Sequence, residues 1–219
     1  MFALVPEMMK RKIAEANVQQ GFMLSAVLQL CRDFPRTKIL CVGSYEDTAY
    51  EALRKIGVSV DGIDPNANGV DLEKFVSSNP EKKGTFDIVF STSVLEHVPD
   101  DEGFVADAAS LIAPGGYGIF TCDFKDTWNT RDPIPQADCR LYRSDDLNAG
   151  LLQAMPHCQH FDRPNWHGFE PDLQLRRRGI RVEVAATAQT LGTGLKGAAN
   201  EVIDLVALFE TFEPMKPGD

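Results

Sequence analysis

The stretch from Lys38 to Pro65, KILCVGSYEDTAYEALRKIGVSVDGIDP, constrains the fold of this chain more than any other part of the sequence. It begins with a short apolar run, Ile39 to Val42, which stops at Gly43. Apolar residues then recur at helical spacing from Thr48 to Gly57, and a second apolar run follows. The order of strand, tight turn, helix and strand is a βαβ unit, which predicts a parallel sheet.

Such a unit has a ligand site at the carboxyl ends of its strands, where the helix points its free N–H groups. Gly43 supplies the turn there, and Asp47 is suited to cap the helix. Asp64 follows the second strand, where a carboxylate can accept hydrogen bonds from a ribose diol. Many α/β proteins that bind no nucleotide also contain a βαβ unit with one glycine and one acid, so other stretches must decide.

Composition excludes several classes of protein. With 219 residues, 43% hydrophobic and 25% charged, the chain is long enough for one domain with an ordinary core. Its formal net charge of −10 disfavours nucleic acid and anionic lipid as partners. No apolar run is long enough to span a bilayer, and the first apolar residues are too few for a signal peptide. The five cysteines form no C-x-x-C pair. We therefore expect a cytoplasmic protein without a membrane or nucleic-acid partner.

The alternation of strands and helices continues after the central unit. Phe86 to Ser91 is a nearly continuous apolar run, which is typical of a strand buried on both faces. Asp100 to Ile112 has helical spacing, and Tyr117 to Cys122 reads as another strand. Before the central unit, residues 1–37 predict a helical segment of one or two helices with a joint near Gly21.

The last third of the chain is less regular. His157 to Phe161 and Ile180 to Thr187 are the candidates for the last two strands of a core domain that spans 38–190. Residues 191–219 then predict a glycine-rich link and a helix over 198–212. That helix either packs on the domain or makes a homodimer contact, and both alternatives stay open.

The stretch FDIVFSTSVLEHVPDDEGFVADAASLIAPGGYGIFTCDF resembles the second half of a class I S-adenosylmethionine-dependent methyltransferase of the small-molecule branch, which includes sugar and quinone methyltransferases. With the central unit, the resemblance covers about residues 38–124. It implies an α/β fold with a doubly wound, Rossmann-like sheet of seven strands, the last antiparallel, and helices on both faces. It also implies S-adenosyl-L-methionine as the cofactor.

The resemblance places cofactor contacts on the turn after the first strand and on polar residues that follow later strands. The residues so placed are Gly43, Ser44, Tyr45, Asp64, Asp71, Ser91, Thr92 and Ser93. Cys41 stands where the family has an acid before the first turn, so Glu46 or Asp47 is the candidate to pair with the cofactor ammonium instead.

Methyl transfer to a hydroxyl requires a group that takes the proton from the acceptor. His97 and Asp123 are the two candidates, since both follow strands whose ends face the site, and histidine titrates in the suitable range. His97 has an alternative, structural interpretation, in which its ring ties a helix start to a loop. Geometry is needed to decide between them.

The sequence departs from the family pattern in its first loop and in the link after the second strand. The loop keeps Gly43 alone, and Tyr45 and Asp47 occupy the places of other glycines. The link from Asp64 to Phe86 is short, so we expect a reduced strand–helix element there.

A metal site is not expected. Some quinone methyltransferases use a Glu-x-x-Glu-His cluster to hold a divalent cation. Here Ser93 replaces the first glutamate, and Glu96 and His97 alone offer too few ligands.

The sequence therefore predicts an enzyme that moves a methyl group from S-adenosyl-L-methionine to a small-molecule acceptor, with a sugar or glycan hydroxyl as the leading candidate. The alternative is a binding or regulatory protein that has kept the fold and lost catalysis, which the altered glycine loop favours. A nicotinamide-dependent enzyme is disfavoured because the loop lacks G-x-G-x-x-G.

Overall fold

The computed structural model describes residues 1, 3–12, 14–33, 37–125, 140–155, 157–161, 183–186 and 201–204. The chain forms two compact units, Met1–Gln159 and His160–Asp219. No helix within the described ranges is both long and apolar enough to cross a membrane. The predicted glycine-rich link and most of the tail lie outside these ranges.

The first unit is built on a sheet of four parallel strands, and this confirms the predicted α/β class. The strands are β1 (Ile39–Val42), β2 (Asp61–Ile63), β3 (Phe86–Thr92) and β4 (Ile112–Thr121). Their order in the sheet is β2-β1-β3-β4. Strand β2 therefore lies on one side of β1, and the chain then crosses over to place β3 on the other side, so the direction reverses between β1 and β3. Ligands bind at such a switch point, outside the carboxyl ends of the strands.

Helices cover both faces of this sheet. They are α1 (Pro6–Arg11), α2 (Ala14–Asp33), α3 (Thr48–Lys55), α4 (Leu72–Ser78) and α5 (Asp101–Leu111), followed by a π-helical turn over Asp146–Leu151. Helices α2 and α3 pack on one face, and α4 and α5 pack on the other.

Strand β1 shows why its sequence is apolar throughout and does not alternate with polar residues. Ile39 and Cys41 pack toward α2 and α3, while Leu40 and Val42 pack toward α4 and α5. Successive side chains point to opposite faces of a strand, and here both faces are covered. Each buried aliphatic side chain of this kind contributes roughly 1.5–3 kcal/mol relative to exposure.

Aspartates begin three of the helices. Asp47, Asp71 and Asp100 precede α3, α4 and α5, and each accepts a hydrogen bond from the backbone N–H three residues later, at 2.7–2.9 Å. A side chain in this position satisfies one of the donors that a helix start leaves unpaired. The predicted cap at Asp47 is confirmed.

The predicted reduction of the strand–helix element between β2 and β3 is confirmed. Residues 64–85 contain α4 and one 3₁₀ turn, Pro80–Lys82, and no strand. Strand β2 is therefore an edge of the described sheet. A pocket of about 410 Å³ borders this edge and is lined by residues of β2 and α4, including Gly62 and Phe75.

The predicted joint near Gly21 is wrong. Helix α1 ends at Arg11, the backbone of the next residue, Lys12, is extended at φ −96° and ψ 147°, and Gly21 lies inside α2. An interior glycine costs a helix about 1 kcal/mol relative to alanine. Complete burial of Met23 and Val27 on α2 outweighs that cost.

The predicted carboxyl-terminal helix over 198–212 is also wrong where the structure describes it. Strand β5 (Glu183–Ala186) lies within the predicted strand, but β6 (Glu201–Asp204) pairs with it in parallel as a separate two-stranded sheet. The β-branched Val202 and Ile203 at the centre of β6 favour an extended backbone. Apolar spacing over a longer window concealed this preference.

The strand predicted from His157 to Phe161 is not formed. The described residues there adopt turns and irregular backbone, and most of their side chains are exposed. Two histidines and a glutamine leave this stretch little apolar surface to pack against a sheet. Within the described ranges, the main sheet has four strands, and an antiparallel last strand is not among them.

Candidate functional site

The turn after β1 depends on Gly43. Its φ of +86° lies in the left-handed region, which glycine enters without steric cost. Its N–H donates to the carbonyl of Ile63 at 2.9 Å and so ties the end of β1 to the end of β2. A Cβ added to Gly43 would overlap Cγ2 of Val94, in the segment after β3. The turn thus requires glycine for its backbone and for its space.

Tyr45 does not fill the crevice with its ring. The side chain is 54% exposed, while the backbone N–H donates to Oδ2 of Asp64 at 3.2 Å. Ser44 beside it is buried, and its N–H donates to the same Ile63 carbonyl as Gly43 does. The bulky residue at a family glycine position therefore turns its backbone, and not its ring, toward the acid.

Asp64 lies at the end of β2, as the sequence predicts for the ribose acid. Its side chain is buried, and Oδ1 accepts a second backbone hydrogen bond from Asn66 at 2.6 Å. An ionised carboxylate offers about four acceptor positions. Two backbone donors therefore fix its orientation and leave positions for a diol.

Glu46 and Asp47 occupy different environments. The exposed Glu46 carboxylate lies 2.9 Å from the Arg11 guanidinium of α1, which competes for any contact with a cofactor ammonium. Asp47 is buried, and Oδ2 accepts a hydrogen bond from Nε2 of Gln20 at 3.2 Å. Burial raises the pKa of Asp47, and the hydrogen bond from Tyr50 N–H opposes this.

Gln20 connects α2 to the start of α3. Its Oε1 accepts hydrogen bonds from Ala49 N–H at 2.8 Å and from the Thr48 hydroxyl at 3.1 Å. Tyr50 N–H donates a hydrogen bond to Oδ1 of Asp47. The sequence predicts that this helix start faces the cofactor carboxylate, but side chains of the protein already occupy two of its donors.

The polar residues that end β3 are arranged differently. Ser91 and Thr92 are buried, and Oγ of Ser91 has no hydrogen-bond partner among the described residues. Ser93 has a left-handed φ of +50°, a conformation that costs a residue other than glycine about 1–3 kcal/mol. Its N–H donates to the Thr121 carbonyl at 3.0 Å, which holds the turn against β4.

Gln19 joins the ends of β3 and β4. Its Oε1 accepts a hydrogen bond from the Ser93 hydroxyl, and its Nε2 donates to Oδ1 of Asp123 at 3.3 Å. This role could not be predicted, because Gln19 lies 74 positions before Ser93, within a helix whose pattern indicates packing. Only the fold brings these residues together.

Glu96 is the second residue that sequence reasoning missed. It follows β3 in a 3₁₀ turn, Leu95–His97, and is only 2% exposed. Burial raises the pKa of Glu96 to about 7, and the charge of Asp123 adds to the rise. Its Oε2 has no hydrogen-bond partner in the described part of the chain. A buried acceptor without a donor costs about 1–3 kcal/mol, so a ligand that donates a hydrogen bond there relieves that cost.

We call Gln19, Ser93, Glu96 and Asp123 the strand-end cluster. Cys122 lies beside it: burial raises the pKa of this thiol to about 12, and the charges of Glu96 and Asp123 contribute. Asp123, a predicted proton acceptor, is thus a member of the cluster.

His97 and Asp71 are placed at the surface. The His97 side chain is exposed in the same turn that buries Glu96, and Asp71 is exposed and caps α4. The predicted roles of His97 as a proton acceptor and of Asp71 as a cofactor contact stay predictions.

Negative charge is concentrated along the carboxyl ends of the strands. Burial raises the pKa of Cys41 in β1 well above its ordinary value, and the carboxylates of Asp47 and Asp64 raise it further. Glu96 and Asp123 continue this edge beyond β3 and β4. Such an edge favours a cationic ligand group. No group of three or more His, Cys, Asp or Glu side chains in the described residues is arranged to hold a metal ion, and the absence of a metal stays a prediction.

A family model described as a methyltransferase domain matches residues 15–181, about three quarters of the chain. The chain belongs to the class I S-adenosylmethionine-dependent methyltransferases. The family uses S-adenosyl-L-methionine, so the predicted family and cofactor are confirmed. The acidic edge suits a sulfonium, and the acceptor positions left on Asp64 suit a ribose, so the described residues fit this cofactor.

Relatives match part of this methyltransferase. It is 32% identical over 100 residues to the ubiquinone biosynthesis O-methyltransferase of Colwellia psychrerythraea, covering 38% of this chain and 41% of the relative. The enzyme of the same name from Paramagnetospirillum magneticum is 33% identical over 101 residues, covering 40% and 41%. The match therefore spans about two fifths of the length of these relatives. Among solved structures, a CurJ carbon methyltransferase aligns at 15% identity and TM-score 0.38, over 85% of this chain and 54% of the other.

Proposed function

We propose that this methyltransferase transfers a methyl group from S-adenosyl-L-methionine to a hydroxyl of a small molecule. One observation carries the proposal. Asp64 is held by two backbone donors at the carboxyl end of β2, with acceptor positions to spare, and the strand-end cluster lies along the same edge of the sheet. Asp64 can hold a nucleoside, and the strand-end cluster can accept a proton.

The residues divide between these tasks. Gly43, Ser44 and the backbone of Tyr45 form the turn that borders the cofactor, and Asp64 accepts hydrogen bonds from the ribose hydroxyls. Ser91, Thr92 and Ser93 face the reacting end, and we also retain Glu46 and Asp71 as outer cofactor contacts. The bound cofactor supplies an electrophilic methyl group on a positively charged sulfur. The protein must orient the acceptor and take its proton.

The acceptor is proposed as an oxygen nucleophile. The relatives named above are O-methyltransferases of ubiquinone biosynthesis, which supports a phenolic hydroxyl. The sequence resemblance to sugar methyltransferases keeps a sugar hydroxyl as the other candidate. The phenol is more acidic, so it demands less of the proton acceptor.

We also propose a domain organisation and a location for the protein. The core domain is proposed to span 38–190, between a helical segment at 1–37 and a tail at 191–219. Its sheet is proposed to gain strands beyond β4 toward the seven of the family, with the last antiparallel. A cytoplasmic location and a homodimer contact through the tail are also proposed.

Transfer of radiolabelled methyl from S-adenosyl-L-methionine tests the function. The acceptors are two panels, catechols such as 3,4-dihydroxybenzoate and free sugars, each assayed with and without EDTA. We expect labelled product from one panel, and we expect EDTA to leave the rate unchanged. Loss of turnover with EDTA and rescue by magnesium would instead give Glu96 and His97 a metal role.

A binding protein without catalysis is the second candidate. Gln20 and Asp47 occupy donors at the start of α3, and Arg11 holds Glu46, so two predicted cofactor contacts are already engaged within the protein. Cofactor binding without transfer to either panel would favour this candidate.

A further inference from the structure

Glu96 is a buried carboxyl that the predicted machinery leaves unused. The 3₁₀ turn that carries it is fixed from outside. The Glu96 carbonyl accepts a hydrogen bond from Arg140 N–H at 3.3 Å, and the Tyr142 hydroxyl donates to the Leu95 carbonyl at 3.1 Å. The Arg140 guanidinium in turn donates to the carbonyl of Val98 at 2.6 Å. Hydrogen bonds on both sides of Glu96 hold the backbone of this turn in place.

The Glu96 carboxyl lies near the ends of β3 and β4. Asp123 and Cys122, which follow β4, lie close enough to Glu96 to interact with its charge. Gln19 covers the cluster from α2 through its bonds to Ser93 and Asp123. Glu96 therefore lies beside the ends of β3 and β4, at the edge that the proposed function gives to the acceptor.

The three candidate proton acceptors differ in burial and in the hydrogen bonds that they already accept. His97 is exposed in the same turn that buries Glu96. Oδ1 of Asp123 already accepts the amide of Gln19. Oε2 of Glu96 is buried and has no donor among the described residues. An acceptor hydroxyl that donates to this oxygen would satisfy it.

We propose that Glu96 takes the proton from the acceptor hydroxyl and that Asp123 is its charged neighbour. This inference rests on the proposed function. In the step, the acceptor oxygen forms a bond to the methyl carbon while the carbon–sulfur bond breaks. The electron pair of the broken bond stays on sulfur, which becomes neutral, and the hydroxyl proton moves to Oε2 of Glu96.

The groups around Glu96 suit this exchange. Asp123 and Cys122 face it from the end of β4, and Ser93 and His97 belong to its own segment. Arg140 and Tyr142 pack behind the turn, but Asp101 of α5 holds both: its Oδ2 lies 2.7 Å from the guanidinium and 2.9 Å from the phenol oxygen. Burial and the negative charge of Asp123 raise the pKa of Glu96 to about 7. A proton acceptor works best when its pKa lies near the working pH.

Titration calorimetry in two buffers with different heats of ionisation counts the protons that binding releases. At pH 6.5, the positive sulfur of S-adenosylmethionine should displace about half a proton from Glu96, by linkage. S-adenosylhomocysteine, whose sulfur is neutral, should displace much less. Glu96→Gln should abolish the difference between the two nucleosides. Glu102→Gln, which changes an exposed glutamate of α5, should leave it as in the wild type.

A difference that persists in Glu96→Gln, or that is absent from a wild type that binds both nucleosides, overturns the inference and leaves the proposed function standing. No binding of either nucleoside overturns both. With any acceptor that the wild type methylates, Glu96→Gln should lower kcat about 100-fold or more, with a smaller loss in Glu96→Asp. Retention of more than a third of kcat in Glu96→Gln would assign the proton to another group.

Discussion

The carboxyl ends of β1 and β2 differ from those of β3 and β4 in whether their buried polar groups have hydrogen-bond partners within the protein. At the ends of β1 and β2, the carboxylates of Asp47 and Asp64 both accept backbone hydrogen bonds. At the ends of β3 and β4, atoms of Ser91 and Glu96 are buried without a partner among the described residues. Buried polar atoms are paired in most proteins, so the unpaired ones mark the half that awaits a ligand.

The difference follows from the chemistry each half is proposed to perform. A ribose is the same in every turnover, so its acceptor can be fixed by the backbone in advance. A proton acceptor must change its charge during the reaction, so it cannot be saturated by donors of the protein. The comparison therefore predicts that substitutions at the ends of β1 and β2 cost stability. Substitutions at the ends of β3 and β4 should act mainly on ligand binding and pH dependence.

The largest expected effect is at Gly43. Gly43→Ala forces a left-handed alanine and a clash with Val94, so we expect a loss of about 2–4 kcal/mol in the free energy of unfolding. Gly21→Ala is the matched control, because Gly21 is helical and an added Cβ meets no atom within 4 Å. This control should stabilise the protein by about 0.5–1 kcal/mol. Urea unfolding measures both, and equal effects at the two glycines would contradict the rigid first turn.

The next effect is the pH dependence of stability. The pKa of Glu96 is about 7 in the folded protein against an ordinary value of 4.5, so between these values the native state binds more protons than the unfolded state. Stability conferred by the neutral acid is therefore present below pH 4.5 and lost as the pH rises to about 7.

Glu96→Gln should remove this loss, which we expect to be about 1–3 kcal/mol between pH 5 and pH 8. Urea unfolding at four pH values across this range, on wild type and mutant, gives the slopes. Parallel slopes would mean that Glu96 is not held in a buried, charge-sensitive site. Asp47, whose pKa burial also raises, contributes in the same direction to both proteins.

The smallest effect on stability is expected at Ser91. Its hydroxyl has no described partner, so Ser91→Ala should change the free energy of unfolding by less than about 1 kcal/mol in either direction. Asp47→Ala, which removes a buried helix cap, should cost at least about 1–2 kcal/mol. A costly Ser91→Ala would show that the hydroxyl is already engaged, and would remove the distinction between the two halves.

The sequence predicted the sheet because its central features are local. The apolar run at β1, the turn at Gly43 and the cap at Asp47 each follow from neighbouring residues, and the structure confirms them. The order of motifs between 38 and 124 identified the family for the same reason.

The errors arose where local spacing and tertiary packing favour different structures. Gly21 reads as a break but lies inside α2, because packing of that helix outweighs the propensity of one residue. The window that contains β6 has helical spacing, yet its β-branched residues pair with β5.

The cluster residues Gln19 and Glu96 could not be assigned from the sequence. Gln19 reaches Asp123 across 104 positions, and whether Glu96 or His97 turns inward depends on the geometry of one 3₁₀ turn. Burial decides the role of an acid in such a turn, and burial is a property of the fold.

Calorimetric titration of the wild type and of Asp64→Ala with S-adenosylhomocysteine shows whether this edge of the sheet holds the cofactor through Asp64. We expect a single site in the wild type and a loss of about 1.5–3 kcal/mol in Asp64→Ala, the cost of losing charge-assisted hydrogen bonds. Asp61→Ala, an exposed acid on the same strand, should bind as the wild type does. Absence of binding to the wild type, or equal affinity in a folded Asp64→Ala, would contradict the account.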